Sequence, residues 1–557
     1  MDKGISRRSF LTGGSAIGAL AAFGITGCAS EVGSESRSAA DEADWKQSLN
    51  VDIASTLPGN TDESVDVSKT VECDVAVIGA GCSGVNAAVR AAQEGLSVVL
   101  IEKTDTIGGA SLDSWAPSAY NSSYAQEAGV VTDTDPIIEA WVADCHWRVD
   151  ASAVRQLVNT SGEAVDWMRE NGWDFKYVGM GSDITALPDY DTREPLFREM
   201  LRDSVEQNGE VITGTAAKHL VIDSSGAVIG VVAVDGSDEG IQVNARAVVI
   251  ATGGYGANAP MVKNAFGFKG VFAGLPQNIG EGLEMAWAVG AQKPQNFGGQ
   301  MLHQTLARAT SKLVSEFDAF PAKYPMILTY VANLLNVGST GRRFRNESLV
   351  LNAVPSANSS AYQGSFHYVI VSRGIMDALE KGGLAELGVD YTPGLPPEYR
   401  PEYALDTPWK GITDVFDRMV ANGDGYKGDT PEELAQAAGM DVDVFAGQLA
   451  QYDEACASGI DAQFGKAQKY LNALGSGPYY AVIAEENNLC SWGGLLTDAD
   501  YQVLDGDRLP IRGLYAVGNE AGGNLYNDTY VGFGYGMGNA ITSGYICGSK
   551  LATSMGR

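Results

Sequence analysis

Val75-Ala76-Val77-Ile78-Gly79-Ala80-Gly81-Cys82-Ser83-Gly84 is the stretch that decides how this chain is read. Four apolar residues make a buried strand, and the glycines punctuate a turn into a helix of small residues. A second apolar run, Ser97-Val98-Val99-Leu100-Ile101, ends at Glu102. Strand, glycine turn, helix, strand and acid in this order form the dinucleotide-binding fingerprint of a parallel α/β unit. Gly79, Gly81 and Gly84 let the backbone approach a pyrophosphate. The helix start at Cys82 and Ser83 offers free N–H groups and the positive end of a dipole. Glu102 is placed to accept hydrogen bonds from a ribose.

Working outward, Glu102-Lys103-Thr104 runs on to a second glycine-rich loop, Gly108-Gly109-Ala110-Ser111. A second backbone cradle close behind the acid fits FAD, held non-covalently, better than NAD. Ala247-Val248-Val249-Ile250-Ala251-Thr252-Gly253-Gly254 adds a later strand and glycine turn, and Gly513-Leu514-Tyr515-Ala516-Val517-Gly518-Asn519 another near the C-terminus.

The 557 residues suffice for two or three domains, and the net charge of −31 argues against nucleic acid and anionic lipid as partners. It also disfavours anionic substrates. Ser6-Arg7-Arg8-Ser9-Phe10-Leu11, followed by an apolar stretch ending in Ile25-Thr26-Gly27-Cys28, reads as a twin-arginine export signal closing on a lipobox, with Cys28 as the lipidated residue. The expectation is a protein on the outer face of the cytoplasmic membrane, attached only through its lipid. The seven cysteines, Cys28, Cys73, Cys82, Cys145, Cys456, Cys490 and Cys547, are scattered without a CxxC pair, so no disulfide framework and no metal site is expected.

The expected organisation is a signal (1–28), a tether rich in Ser, Asp, Glu and Ala (29–70), the first part of an FAD-binding domain (71–265), a cap or substrate domain (266–430), and the second part of the FAD-binding domain (431–557). Residues 136–208 read as mainly helical, and Ile212–Val234 as strands around Asp223-Ser224-Ser225-Gly226. Thr430-Pro431-Glu432-Glu433 is a helix start with a capping box. Gly477-Pro478-Tyr479-Tyr480-Ala481 is expected to return the chain to the FAD-binding domain.

With these motifs, Val71 to Leu551 resembles the flavoprotein superfamily of fumarate reductase and 3-ketosteroid dehydrogenase. The resemblance implies an α/β fold: a Rossmann-like FAD-binding domain with an inserted α+β cap. It implies cofactor contacts at Gly79, Gly81, Cys82, Ser83, Gly84, Glu102, Lys103, Gly108, Gly109, Ala110, Ser111, Ala217, Thr252, Gly253, Gly254, Asn519, Glu520, Gly538, Asn539 and Ile541. It also implies that reduced flavin gives a hydride to an activated alkene while a protein acid gives the proton.

Fumarate reductases hold their dicarboxylate with two arginines and a histidine. Their catalytic arginine follows a motif that stands here as Gly341-Arg342-Arg343-Phe344-Arg345-Asn346-Glu347, and its place falls at Leu351. The clamping histidine's place falls at Cys490 and the second arginine's at Tyr535. Only His303-Gln304-Thr305 survives. Three charged ligands lost together argue against fumarate. Tyr530-Val531-Gly532-Phe533-Gly534 instead resembles the ketosteroid dehydrogenases, in which the tyrosine hydroxyl and the last glycine's N–H bind a carbonyl. Transferred, Tyr530 and Gly534 make an oxyanion-type pocket, with His303 as a further catalytic candidate. The dehydrogenation base of that branch also falls at Leu351, which favours reduction. Substrate-pocket candidates are Asn333, Tyr535, Cys490 and Leu351. The cap's Phe317, Phe320, Tyr324, Met326, Tyr330 and Asn336 read mostly as core.

The combined reading is an exported FAD-dependent reductase of a large, neutral conjugated carbonyl compound, such as a steroid-like enone or cardenolide lactone. It resembles the exported reductases of gut actinobacteria, the type that acts on cardiac glycosides included. Electrons then come from a membrane-anchored cytochrome c or a quinol-linked donor, since this chain has no CxxCH haem site. The resemblance brings an iron–sulfur cluster as an open alternative, which the cysteine spacing does not support. A 3-ketosteroid dehydrogenase, a reductase of a small unsaturated acid and a non-catalytic flavin electron carrier are the competing readings.

Overall fold

The computed structural model describes residues 65–557 apart from 180–182, 267–270, 273, 293–299, 306, 392–403, 492–493 and 527–529. The export signal, Cys28 and most of the expected tether lie outside the described residues. The chain divides into two compact units. The first takes in the described residues of Ile53–Gly267, Gly274–Met301 and Leu489–Arg557, and the second those of Phe268–Ala273 and Leu302–Asn488.

The first unit is built on an eight-stranded sheet. Its parallel core runs Pro510–Ala516, Gly240–Ile250, Val67–Ile78, Val98–Ile101, Glu210–Ile212. The quoted Val75–Ile78 run lies at its centre and is at most 3% exposed, as a strand covered on both faces demands. The hairpin Thr215–Ile222 and Val228–Asp235 turns at Asp223, whose carboxylate accepts from the Ser225 and Ala227 N–H groups. Three helices, Asp135–Asp144, Ala151–Glu170 and Tyr190–Asp203, occupy the segment expected to be helical. The C-terminal helix Tyr535–Ser554 packs on the fingerprint helix Cys82–Gln93 almost backbone to backbone. A methyl at Gly544 would stand 2.4 Å from the Ser83 carbonyl oxygen, so only glycine permits that approach. Among the described residues no helix is long and apolar enough to cross a membrane.

The first strand begins at Val67, inside the segment expected as tether. Val67 pairs with Gly240 and Thr70 with Gln242. Backbone pairing needs no apolar pattern, so the polar residues Ser68, Lys69 and Thr70 gave no strand signal.

The second unit, an α+β body, has its own apolar core and a six-stranded sheet. The strand Tyr479–Ser491 pairs antiparallel with Phe366–Ser372 and with Gly425–Gly428, and Phe366–Ser372 pairs with Leu335–Val337. The expected boundary at 430/431 falls inside this unit. Leu434, Ala435, Phe445, Leu449 and Tyr452, from the helices Pro431–Ala438 and Val442–Ser458, are buried in the same core as Ile327, Val369 and Ile375. The expected return at Gly477–Ala481 is likewise corrected: Tyr480, Ala481 and Val482 are central strand residues of this sheet, paired with Val371, Ile370 and Val369. Thr430 does cap its helix, accepting from the Glu433 N–H at 3.2 Å, while the Glu433 carboxylate accepts from the Asp429 N–H at 2.9 Å.

Candidate active site

The carboxyl ends of the parallel strands come side by side where a nucleotide binds in such sheets. The Gly79 N–H donates to the Ile101 carbonyl at 2.7 Å, the Ala251 N–H to Ile78 at 2.8 Å, and the Val517 N–H to Ile250 at 3.0 Å. The two glycine loops meet there, because the Gly108 N–H donates to the Ala80 carbonyl at 2.8 Å and Gly81 and Gly108 form a parallel bridge. Gly79, Gly108, Gly253 and Gly254 have φ of +101°, +120°, +88° and +91°, in the region that favours glycine. Gly84 closes the turn against the strand: a methyl there would lie 1.9 Å from the Gly79 oxygen.

FAD fits this arrangement. Gly81, the N-cap of the fingerprint helix, has no side-chain cap, and a methyl built on it meets no atom within 4 Å, so open space faces the helix start. Glu102 ties the loops together. Its Oε2 accepts from the Ala80 N–H at 2.8 Å, and its Oε1 accepts from the Thr104 N–H and hydroxyl at 2.9 and 2.8 Å. Three of about four acceptor positions are thus spent on the protein, leaving Oε2 room for one ribose hydroxyl. Ala217 lies on the neighbouring hairpin strand, which starts where the Thr215 N–H donates to the Glu102 carbonyl at 2.9 Å. When bound, FAD supplies hydride chemistry through its isoalloxazine ring.

Other expected contacts lie on the segments around these loops. Ser111 is buried, its hydroxyl donating to the Gly108 carbonyl at 2.5 Å, and Gly109–Leu112, with Ala110, makes one short turn of helix. Glu520 is buried between the late glycine turns. Its Oε1 accepts from the Thr252 hydroxyl and from the Gly254 N–H at 2.8 Å, while Oε2 is buried with no partner among the described residues. Burial raises the Glu520 pKa, against the pull of the Thr252 hydroxyl and the Gly254 N–H. Asn519 reaches Gly253 at 3.5 Å, Asn539 donates to the Gly518 carbonyl at 3.0 Å, and the Ile541 carbonyl accepts from Asn86 at 3.4 Å. Gly538 approaches Ser118, where a methyl would come within 2.5 Å of its oxygen.

Two expected cofactor residues have side chains committed to the protein. The Lys103 ammonium donates to the Gln277 carbonyl at 2.5 Å and pairs with Glu281, so it serves the protein. The Cys82 side chain is buried in the core, and burial pushes its thiol far above the ordinary range, so what Cys82 can offer a pyrophosphate is its backbone N–H at the helix start. Arg193 was missed. Its buried guanidinium donates to the carbonyls of Ser111, Leu112 and Ser114 at 3.0, 2.9 and 2.5 Å and holds the second glycine loop. Nothing at helix position Arg193 signals a loop eighty residues upstream. Arg193→Met is expected to weaken FAD binding roughly tenfold to a hundredfold by leaving those carbonyls unpaired; titration of the apoprotein with FAD measures it.

On the substrate side, Tyr530 packs beside Tyr526, and its hydroxyl accepts from the Gly536 N–H at 3.2 Å. That bond ties it to the first turn of the C-terminal helix, which Gly534 caps with φ of +79°. The Gly534 carbonyl accepts from the Ser118 N–H at 2.9 Å, so Tyr530 and Gly534 share one rigid corner. Tyr535, where the second arginine was expected to be replaced, shares a hydroxyl–hydroxyl bond of 2.8 Å with Tyr120 and stands edge-on to Trp141 at 4.6 Å. Burial pushes the Tyr535 phenol up to about 12, so it stays neutral. The described residues at this corner offer neutral donors on aromatic walls.

The cap candidates are corrected. Asn333 is fully buried, its amide donating to the Leu387 and Lys469 carbonyls at 2.8 and 3.3 Å. Leu351 packs with Ala332, Val350 and Tyr470. Tyr324 stacks on Trp409 at 4.6 Å with Phe320 edge-on, and Phe317 and Met326 belong to the same core. Asn336 accepts from Arg345 at 2.6 Å. These side chains pack in the core; the Asn333 Nδ2 and the Asn336 Oδ1 bond the fold, while the Asn333 Oδ1 is buried with no partner among the described residues. The side chains of His303 and Cys490 lie outside the described residues; their backbones belong to the strands Gln300–Thr305 and Tyr479–Ser491. Among the described residues no three His, Cys, Asp or Glu side chains converge as a metal requires, so the iron–sulfur alternative finds no support there.

A parallel sheet with paired glycine loops, an acid on the second strand and a separate α+β unit defines a flavoprotein of the dinucleotide-binding class. The chain belongs to the FAD binding domain family, whose model matches residues 74–535, and it is an FAD-dependent oxidoreductase. It is 28% identical to the vinyl phenol reductase of Lactiplantibacillus plantarum, over 82% of this chain and 91% of that protein. It is 23% identical to the digoxin reductase of Eggerthella lenta, over 99% of this chain and 98% of that one. The fold matches an open-conformation flavocytochrome c3 fumarate reductase with a TM-score of 0.59 and 21% identity, over 97% of this chain and 86% of that one.

Proposed function

We propose that this protein is an FAD-dependent reductase that saturates the conjugated C=C bond of a neutral α,β-unsaturated carbonyl compound of steroid-like or cardenolide size. The observation that carries the reading is the corner built by Tyr530, Gly534 and Tyr535. Where the resemblance puts a carboxylate-binding arginine, this chain has a phenol bonded to a second phenol, Tyr120. A neutral hydroxyl pair satisfies a carbonyl oxygen without an unpaired positive charge, whereas a dianion would be left uncompensated. Tyr530 polarises the carbonyl, and the helix start behind it favours negative charge developing on that oxygen.

The similarity to digoxin reductase supports the lactone arm of this reading. The similarity to vinyl phenol reductase supports a second one, in which the phenol pair receives an aryl hydroxyl. Export through Arg7-Arg8, a lipid on Cys28 and electron supply from a cytochrome or quinol-linked donor complete the proposal; Cys28→Ala is expected to release the protein from membranes.

The deciding experiment is anaerobic. Reduced, FAD-loaded protein is mixed with a 3-ketosteroid enone, a cardenolide, a vinyl phenol or fumarate, and flavin reoxidation is followed. Rapid reoxidation by an enone or cardenolide, slowed about a hundredfold or more in Tyr530→Phe, is the expected result. Reoxidation by fumarate alone overturns the reading.

A further inference from the structure

Saturating a C=C bond takes a hydride and a proton, and the reductase reading so far supplies only the hydride. The place where the resemblance puts an acid or a base falls at Leu351, which has no proton to give. A phenol in the first unit, at the corner already described, is built to supply it.

Tyr535 opens the helix Tyr535–Ser554 and is partly buried. Its ring is held on several sides. Trp141 stands edge-on at 4.6 Å and is itself fixed by its indole N–H, which donates to the Leu525 carbonyl at 2.6 Å. Gly532 lies against the ring, where a methyl would come within 2.9 Å of the Tyr535 Cε2. The Tyr535 carbonyl accepts from the Tyr526 hydroxyl at 3.3 Å, and the Tyr535 hydroxyl lies 2.8 Å from that of Tyr120. A phenol held this way presents its oxygen in one direction, as transfer to one face of a carbon requires.

The two phenols are not equivalent. Tyr120 is 3% exposed and is flanked by Asp183, which is 2% exposed. The Ala119 N–H donates to the Asp183 carbonyl at 2.9 Å and the Asn121 N–H to its carboxylate at 3.1 Å, while the Tyr177 hydroxyl donates to the same carboxylate at 3.2 Å. Negative charge on Tyr120 would be desolvated beside a buried carboxylate; on Tyr535 it is not so opposed. Among the described residues the other charge facing the pair is Asp144, which is exposed and screened by water. Burial first, then Tyr535 and Asp183, hold the Tyr120 phenol well above its ordinary value, whereas the bond from Tyr120 pulls Tyr535 down against its own burial.

We propose that Tyr535 is the proton donor of the reduction, and that Tyr120 is a positioning residue that aims the Tyr535 hydroxyl and stabilises the phenolate left behind. This rests on the reductase reading above. Tyr530 holds the carbonyl oxygen. A hydride from the reduced flavin forms the C–H bond at the β carbon, and the π pair moves to the α carbon. There it takes the Tyr535 proton as the O–H bond breaks. The Tyr535 phenolate then takes a proton from bulk water. A carbanion beside a carbonyl is a stronger base than a phenolate, so the transfer runs downhill.

The test is reduction of a 3-ketosteroid enone or a cardenolide in deuterated water by the FAD-loaded protein, followed by flavin reoxidation and by NMR of the product. The wild type is expected to place deuterium at the α carbon in a single configuration. Tyr535→Phe is expected to slow reoxidation about a hundredfold or more. Its residual product is expected to carry deuterium in both configurations, because water then quenches the carbanion. Binding of the same compound to the oxidised protein, read from flavin absorbance, is expected to change less than about threefold, since the lost group acts in the transition state. Tyr120→Phe is expected to lower kcat about tenfold with KM little changed, and to keep the single configuration. A wild type that labels both configurations overturns the proposal. So does a Tyr535→Phe protein with the wild-type rate or a single configuration, which assigns the proton to another group such as His303. Where Tyr535→Phe does not hold FAD, a wild-type kcat in Tyr120→Phe overturns it. If neither compound reoxidises the wild-type flavin, the reductase reading falls and takes the proposal with it; an active wild type with an equally active Tyr535→Phe removes the proposal alone.

Discussion

Gly84→Ala is expected to yield protein that purifies without flavin and unfolds at least about 3 kcal/mol more easily, the upper range for overpacking. The added methyl would sit 1.9 Å from the Gly79 carbonyl oxygen and 3.1 Å from the Ala251 side chain. Neither neighbour is the loose end of a flexible side chain. The clash falls on the backbone of the turn itself and on the strand end beside it, so relief must move the helix off the sheet. Flavin absorbance per protein and thermal unfolding read both effects. Gly81→Ala is the informative partner. Its φ of −70° suits alanine and its methyl meets no protein atom within 4 Å. Stability is therefore expected to hold while FAD affinity falls, because the methyl takes the space a pyrophosphate needs. Loss of stability in both, or of flavin in neither, would mean that the glycines serve packing alone.

Glu347→Gln is expected to cost about 3–5 kcal/mol of folding stability, the penalty for opening a buried ion pair. Arg343 donates to Glu347 at 2.8 and 2.7 Å and to Asp461 at 2.9 Å through two nitrogens, and Lys466 pairs with Glu347 at 3.1 Å. All four side chains are at most 1% exposed. Burial alone would raise the Glu347 pKa, but Lys466 and Arg343 overcome it and hold it below the ordinary value. Burial likewise opposes the charge on Asp461, which Arg343 and the Lys466 N–H hold down at about 2. Both carboxylates have folded-state pKa values below their unfolded ones. Their contribution is complete above about pH 4–5 and is lost as the pH falls towards 2. Denaturant unfolding across that range is expected to show an acid-sensitive loss in the wild type that is smaller in Glu347→Gln. A variant as stable as the wild type would show that solvent, not Arg343, carries this carboxylate.

The motif Gly341–Glu347 was visible in the sequence as a family signature, but its role was not. Arg343 and Glu347 are four residues apart, while their partners Asp461 and Lys466 come more than a hundred residues later. Local pattern cannot see such a meeting. The same limit hid Arg193. Asn333 reads as a pocket residue because it is polar within an apolar run; the fold buries it and commits its Nδ2 to two backbone carbonyls.

What the sequence determined by itself was the nucleotide unit. Val75–Ile78, Gly79, Gly81, Gly84 and Glu102 are close in the chain, and the requirement they meet is local: a turn with room for a backbone and a helix start aimed at a phosphate. Spacing alone encodes that. Tertiary structure decided where the second unit ends, because Pro431–Ala438, Val442–Ser458 and Tyr479–Ser491 join it through burial against residues far away in sequence. It also decided that Lys103 serves Glu281 and that Tyr535 bonds Tyr120. Those are choices among equally plausible partners, and only packing in three dimensions brings one partner within reach.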